Sequence, residues 1–120
     1  MNKDIINEVF KELKRGTENL AKITTEELFT KYGEPCKLHI KGFMEIEKKD
    51  QSKLIGVLFL EEPEKLYFAG AQLQSLYNLF LKRITNIDDL NTQLSEDPVQ
   101  VTLKWGKSYY NNKMVVVEHE

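Results

Sequence analysis

Between Cys36 and Lys48 the chain carries the pattern that most restricts its fold. Leu38, Ile40, Met44 and Ile46 fall on one parity together with Gly42, while Lys37, His39, Lys41, Phe43, Glu45 and Glu47 fall on the other. Alternation with a period of two over this length describes one long strand with one face toward a core. The glycine in its middle marks a bulge or a sharp bend. A strand that is both long and bent can serve two sides of a curled sheet.

The segments on either side follow different periods. Residues 4–15 place Ile5, Ile6, Val9, Phe10 and Leu13 on one helical stripe opposite lysines and glutamates, and Gly16 ends it. In "TTEELFTKYGEP", Thr24 and Glu27 form a capping-box pattern, and Gly33 with Pro35 stops the segment. Residues 1–34 are therefore expected to form a helical extension ahead of a domain over 35–120. Downstream, "KKDQSK" turns the chain, "LIGVLFLEE" is apolar on both faces, and "KLYFAG" after Pro63 gives a third strand. Leu73, Leu76, Tyr77, Phe80 and Ile84 then share a helical stripe, and "NIDDLNTQLSEDP" is a polar, helical or irregular connection. Val99, Val101, Leu103 and Trp105 alternate as a fourth strand, and Met114 to Glu118 makes the fifth.

Three strands, one helix and two strands is the element order of the OB-fold, a five-stranded barrel with its helix between strands three and four. The expected class is thus α+β or mainly β, a five-stranded OB barrel with an N-terminal helical extension. An open α+β sheet of four or five strands with helices on one face is the competing architecture.

Length and charge bound the function. With 120 residues the chain makes one compact domain. No run of about 18 apolar residues occurs, and the acids Asp4 and Glu8 interrupt the start, so neither a membrane span nor a signal peptide is expected and the cytoplasm is the default compartment. Cys36 stands alone, which excludes an internal disulfide. The net charge of −2 argues against bulk electrostatic binding of nucleic acid. Yet Lys37, Lys41, Lys48, Lys49 and Lys53 concentrate in the first strand and its turn, and Lys104, Lys107 and Lys113 in the last two strands, where residues 99–117 hold no acid.

In an OB-fold the ligand lies across strands two and three, between the loops that join strands one to two and four to five. Here those loops are 48–53 and 106–113, both rich in lysine. Exposed rings interleaved with cations suit single-stranded nucleic acid, because every base offers a face for stacking. Phe43, Tyr67, Tyr109 and Tyr110 are the candidate stacking residues, and the eight lysines are the candidate phosphate contacts. Each has a purely structural alternative: Phe43 packing on the N-terminal helices, Tyr67 as a rim tyrosine, the Tyr109–Tyr110 pair folded over the barrel end, the lysines simply solvated. Trp105 shares parity with Val101 and Leu103 and reads as core. Lysine supplies charge without the bidentate geometry of arginine, so no base-specific reading is expected.

Catalysis finds no support. His39 and His119 are far apart in the chain, Cys36 and His39 lack further zinc ligands at a recognised spacing, and no phosphate loop, HExxH or GxSxG motif occurs. A non-enzyme without metal or cofactor is the expectation.

"ITTEELFTKYGEP" leading into "IKGFMEIE", then "GVLFLEEPEKLYFAGAQL" and "VQVTLKWGKSYYNNKMVVV", is similar to small OB-fold proteins of phages and conjugative plasmids of Gram-positive bacteria. The resemblance spans residues 23–117 in element order. It implies a mobile-element accessory in DNA replication or conjugation that coats single-stranded DNA, with RNA as an open alternative. The expected function is therefore sequence-nonspecific single-strand binding by lysine–phosphate contacts and aromatic stacking. From a different class, the same exposed rings would anchor a protein interface, as in a phage or plasmid inhibitor of a host protein. The N-terminal amphipathic helix either packs on the domain or pairs with another copy into a homo-oligomer. Its mixed charges do not suit a membrane surface.

Overall fold

A computed structural model describes residues 3–7, 20–107 and 113–119 of the chain. Residues 3–7 are helical. The strands are β1 (Ala21–Lys22), β2 (Cys36–Glu47), β3 (Lys53–Phe59), β4 (Glu62–Phe68), β5 (Val99–Lys107) and β6 (Lys113–Glu118), and the helices are α1 (Thr25–Tyr32), α2 (Ala71–Leu81) and α3 (Ile87–Glu96). All six strands join one sheet in the order β1-β4-β3-β2-β5-β6. Among the described residues, only the β1–β4 pairing is parallel.

Local sequence explains where the helices start. The Thr24 hydroxyl accepts the Glu27 N–H at 3.2 Å, and the Glu27 carboxylate accepts the Thr24 N–H in return, so the capping box read from the sequence opens α1. The "NIDDLNTQLSEDP" connection is a true helix because Asn86 caps it, accepting the Asp89 N–H at 2.9 Å, with Asp88 and Asp89 favourably placed at its N-terminus.

β2 does serve two sides of the sheet. Residues 36–40 pair with β5, residues 40–47 pair with β3, and the register slips between Ile40 and Gly42. That bulge has a consequence the alternation concealed: it inserts one residue and exchanges the two faces of the strand. Before it the even positions Cys36, Leu38 and Ile40 are buried; after it Phe43 is fully buried and Met44 and Ile46 are only partly covered. The core closes around these side chains with Leu28 of α1, Val57 and Phe59 of β3, Leu73 and Tyr77 of α2, Leu90 of α3, and Val101 and Leu103 of β5.

The fold is α+β with a six-stranded open sheet where a five-stranded barrel was expected. Ala21 and Lys22, expected within the helical extension, pair with Lys65 and Leu66 and add a sixth strand at the β4 edge. Among the described residues no ladder joins β4 to β6. Pro63, expected to precede the third strand, lies inside β4, where the β1 partner is not reached until Lys65, so its missing N–H leaves no ladder bond unmade.

Side chains take over where a neighbouring strand runs out. β5 leaves β2 at Ile40, and from there Asn91 of α3 bonds the backbone of Phe43, accepting its N–H at 2.8 Å and donating to its carbonyl at 2.9 Å. Gly42 makes this approach possible, since a Cβ there would sit 3.3 Å from Asn91 Oδ1. At the opposite end β5 outruns β2, and the Glu34 carboxylate accepts the Trp105 N–H at 3.0 Å. On the outer edge of β6, Gln72 of α2 accepts the Val117 N–H at 2.7 Å. Each device satisfies a strong backbone group that the open sheet would otherwise leave bare.

Candidate functional site

Two of the four expected stacking rings belong to the core. Phe43 is fully buried, tilted against Tyr77 with ring centroids 5.1 Å apart and edge-on to Phe80 at 6.2 Å, because the bulge turned it inward. Tyr67 is buried against Phe59, and its hydroxyl shares a 2.7 Å hydrogen bond with Thr25 rather than reaching water. Burial raises its phenol pKa, with the Thr25 bond opposing. Neither can receive a base. Tyr109 and Tyr110 lie outside the described residues.

The candidate lysines are dispersed. Lys48 and Lys49 are exposed in the β2–β3 turn, Lys37 is exposed on β2, and Lys41 is partly covered beside the bulge. Lys53 pairs with Glu45 at 3.3 Å and Lys104 with Glu118 at 2.6 Å. The registers decide whether the two lysine-rich loops can cooperate. Glu47 faces Lys53 at one end of β2, whereas Cys36, at its other end, faces Leu103, and β5 continues past it to Lys107 opposite Lys113. Twelve residues of β2 separate these ends, a contour of about 40 Å at the usual rise per residue. The 48–52 turn and the Lys107–Lys113 end of the β5–β6 ladder thus lie beyond opposite ends of β2, and these described residues do not form the one trough that an OB-type site would use.

The hairpin instead carries a site of its own, centred on a residue that sequence parity assigned to the core. Trp105 does face the same side as Val101 and Leu103, and Phe29 of α1 meets it edge-on at 5.4 Å. But β5 has by then outrun its cover, so the ring is only partly buried. Lys113 lies over it with Nζ 4.0 Å from the ring centroid, a cation–π contact. Trp105, Gly106, Lys107 and Lys113 line a recess of about 350 Å3 that contains no acidic side chain among the described residues. Gly106 is required here because a Cβ would collide with Val116. The signal in the sequence was positional: Trp105 stands near the end of an acid-free strand, next to Gly106 and Lys107.

A larger feature lies between α2 and the β5–β6 hairpin, an open groove of about 700 Å3. Leu76, Leu79 and Phe80 of α2 and Val99, Val101 and Val117 of the hairpin line it, with Glu118 and His119 among the polar residues that complete the lining. Leu79, at its edge, is 48% exposed.

Other titratable groups make contacts within the fold. Glu62 is buried and accepts from Lys31 at 2.6 Å and from the Tyr32 hydroxyl at 3.0 Å, which fastens α1 to the start of β4. His39 and Glu61 form a surface pair at 2.7 Å, and Glu61 also accepts the His39 N–H at 2.8 Å. Cys36 is fully enclosed, and burial pushes its thiol up to about 11. Among the described residues no cluster of three or more histidines, cysteines or acids could hold a metal ion, and no helix is long and apolar enough to cross a membrane. No family model, no curated protein and no solved structure matches the chain.

Proposed function

We propose that the chain binds single-stranded nucleic acid without sequence specificity, and that it does so at the end of the β5–β6 hairpin rather than across the middle of the sheet. The observation that carries this reading is Trp105, a partly uncovered indole with Lys113 over its face and Lys107 beside it in the same recess. An indole offers a stacking platform worth roughly 1–3 kcal/mol per base, and Lys107 and Lys113 supply phosphate contacts against the opposing charge of the Glu34 carboxylate, which accepts the Trp105 N–H. Lys113 leaves the ring to meet a phosphate as a base takes its place. Tyr109 and Tyr110, between Lys107 and Lys113 in sequence, extend the supply of rings. The strand order β4-β3-β2-β5-β6 and the doubly paired β2 support reading the sheet as an open form of OB connectivity. The resemblance to phage and plasmid single-strand binders fits the same reading, as an accessory of a mobile element.

Fluorescence anisotropy with labelled single- and double-stranded oligonucleotides tests it. Binding should favour single strands, tolerate any base sequence and weaken steeply with salt. Replacing Lys107 and Lys113 by Gln should lower the salt slope by about 1.4, the value for two phosphate contacts on a single strand. Trp105→Ala, judged against an unchanged circular-dichroism spectrum, should cost about 5- to 150-fold in affinity. Oligonucleotide binding that neither variant alters would remove the hairpin from the site. A second reading, a protein-interaction module such as an inhibitor of a host protein, is favoured by the apolar groove; it predicts no oligonucleotide binding at any salt concentration.

A further inference from the structure

The groove between α2 and the β5–β6 hairpin is independent of the hairpin recess, and it matches another feature of the same chain. Most of its lining is aliphatic or aromatic, with Gln72, Ser75, Glu118 and His119 adding polar groups. At the other end of the sequence, residues 3–7 are helical with Ile5 51% and Ile6 36% exposed, so two large aliphatic side chains of a helix face solvent. In the sequence, Val9 and Leu13 stand at i+4 and i+8 from Ile5, and Phe10 stands at i+4 from Ile6. A helix with anchors at this spacing is the ligand that an apolar groove of this kind receives.

None of residues 3–7 lines the groove of its own chain. The strand that follows the N-terminal segment, β1, is bonded to β4 at the edge of the sheet opposite to β6. We infer that the N-terminal amphipathic segment of a second copy docks in this groove, giving a heterologous contact between chains. Such contacts either close by reciprocal exchange into a dimer or run on from copy to copy. The two halves of the contact, stripe and groove, are different surfaces, and that makes the inference separable from stripe-to-stripe pairing.

Sedimentation velocity on the full-length chain tests it with Leu79→Asp in the groove and the double variant Ile5→Asp, Ile6→Asp in the stripe. All three substituted side chains are exposed, so thermal melts should match the unsubstituted chain. The unsubstituted chain should assemble with rising concentration and each variant should remain monomeric. An equimolar mixture of the two variants should form a one-to-one complex, because one supplies an intact groove and the other an intact stripe. A monomeric unsubstituted chain up to about 100 μM, where even a weak contact is populated, would overturn the inference. So would folded variants that do not complement each other, which is the outcome for docking within one chain or for stripe-to-stripe pairing.

Discussion

Asn91 should matter to the fold far more than an asparagine on a partly exposed helix usually does. It replaces a missing strand at the point where β5 departs from β2, with one hydrogen bond to the Phe43 N–H and one to its carbonyl, at 2.8 and 2.9 Å. Asn91→Ala leaves both backbone groups without their partner. Each net hydrogen bond contributes about 1 kcal/mol, and Asn91 is only partly buried, so water recovers some of the loss and the expected destabilisation is about 2 kcal/mol. At about 2.1 cal/mol/K per residue, a 120-residue chain has an unfolding entropy of roughly 0.25 kcal/mol/K, which converts that loss to about 8 °C in Tm. Asn91→Asp should fare no better, since it keeps the acceptor for the N–H but sets a carboxylate oxygen against the Phe43 carbonyl. Gln93→Ala, two residues along on the exposed side of α3, is the control and should stay within about 0.5 kcal/mol. Thermal melts followed by circular dichroism read all three. If Asn91→Ala melts with the Gln93→Ala control, the asparagine is not standing in for a strand and the account of the β2 edge is wrong.

Acid should loosen the α1–β4 junction. The Lys31 ammonium and, after it, the Tyr32 hydroxyl hold the Glu62 carboxyl below the usual 4.5, and the Tyr77 hydroxyl does the same for Glu45. Because these folded values are depressed, the unfolded chain binds more protons as pH falls through 4.5; the stabilisation is complete above that value and is lost as pH drops toward the folded values. Glu62→Gln should therefore flatten the acid limb of stability, measured as urea midpoints from neutral pH downward, and an acid limb as steep as that of the unsubstituted chain would show that Glu62 contributes nothing to it. Cys36 should resist thiol reagents at neutral pH in the folded chain and react on the timescale of unfolding, since it is both enclosed and held as the thiol at about 11. Rapid labelling without denaturant would place that part of β2 at the surface.

Much of the framework was legible because it rests on local chemistry. The capping box at Thr24, the period of two in β2, the helical stripe of α2 and the two C-terminal strands each follow from neighbouring residues. What was not legible depends on registers. A bulge at Lys41 changes no residue type, yet it exchanges the faces of β2, so Phe43 moves from the expected outer face to the core. β1 consists of two residues, too few for any periodicity, and exists only because β4 offers it an edge. Trp105 has the parity of a core residue and the exposure of a rim residue, because parity reports the side of a sheet and not how far the cover extends. Whether the sheet closes was equally out of reach, since closure is decided by a pairing between β4 and β6 that no local pattern encodes.

Dispersal of the lysines changes what a nucleic-acid function would require of the molecule. A trough spanning both loops would gather many cations on one copy; the hairpin gathers Lys107 and Lys113 around one indole. With a net charge of −2, the body adds no general attraction for a polyanion. On the proposed function, one stacked base and two phosphates would give each copy a modest, salt-sensitive hold on a strand. Holding a strand firmly then depends on several hairpins engaging it together, where linkage between copies raises effective concentration and multiplies affinity without a new contact to the strand. The inferred docking of the N-terminal stripe in the groove would provide such a linkage at residues separate from the recess around Trp105, so assembly would leave the indole accessible. On this chain, a cooperative array is the arrangement in which so few cations per copy suffice.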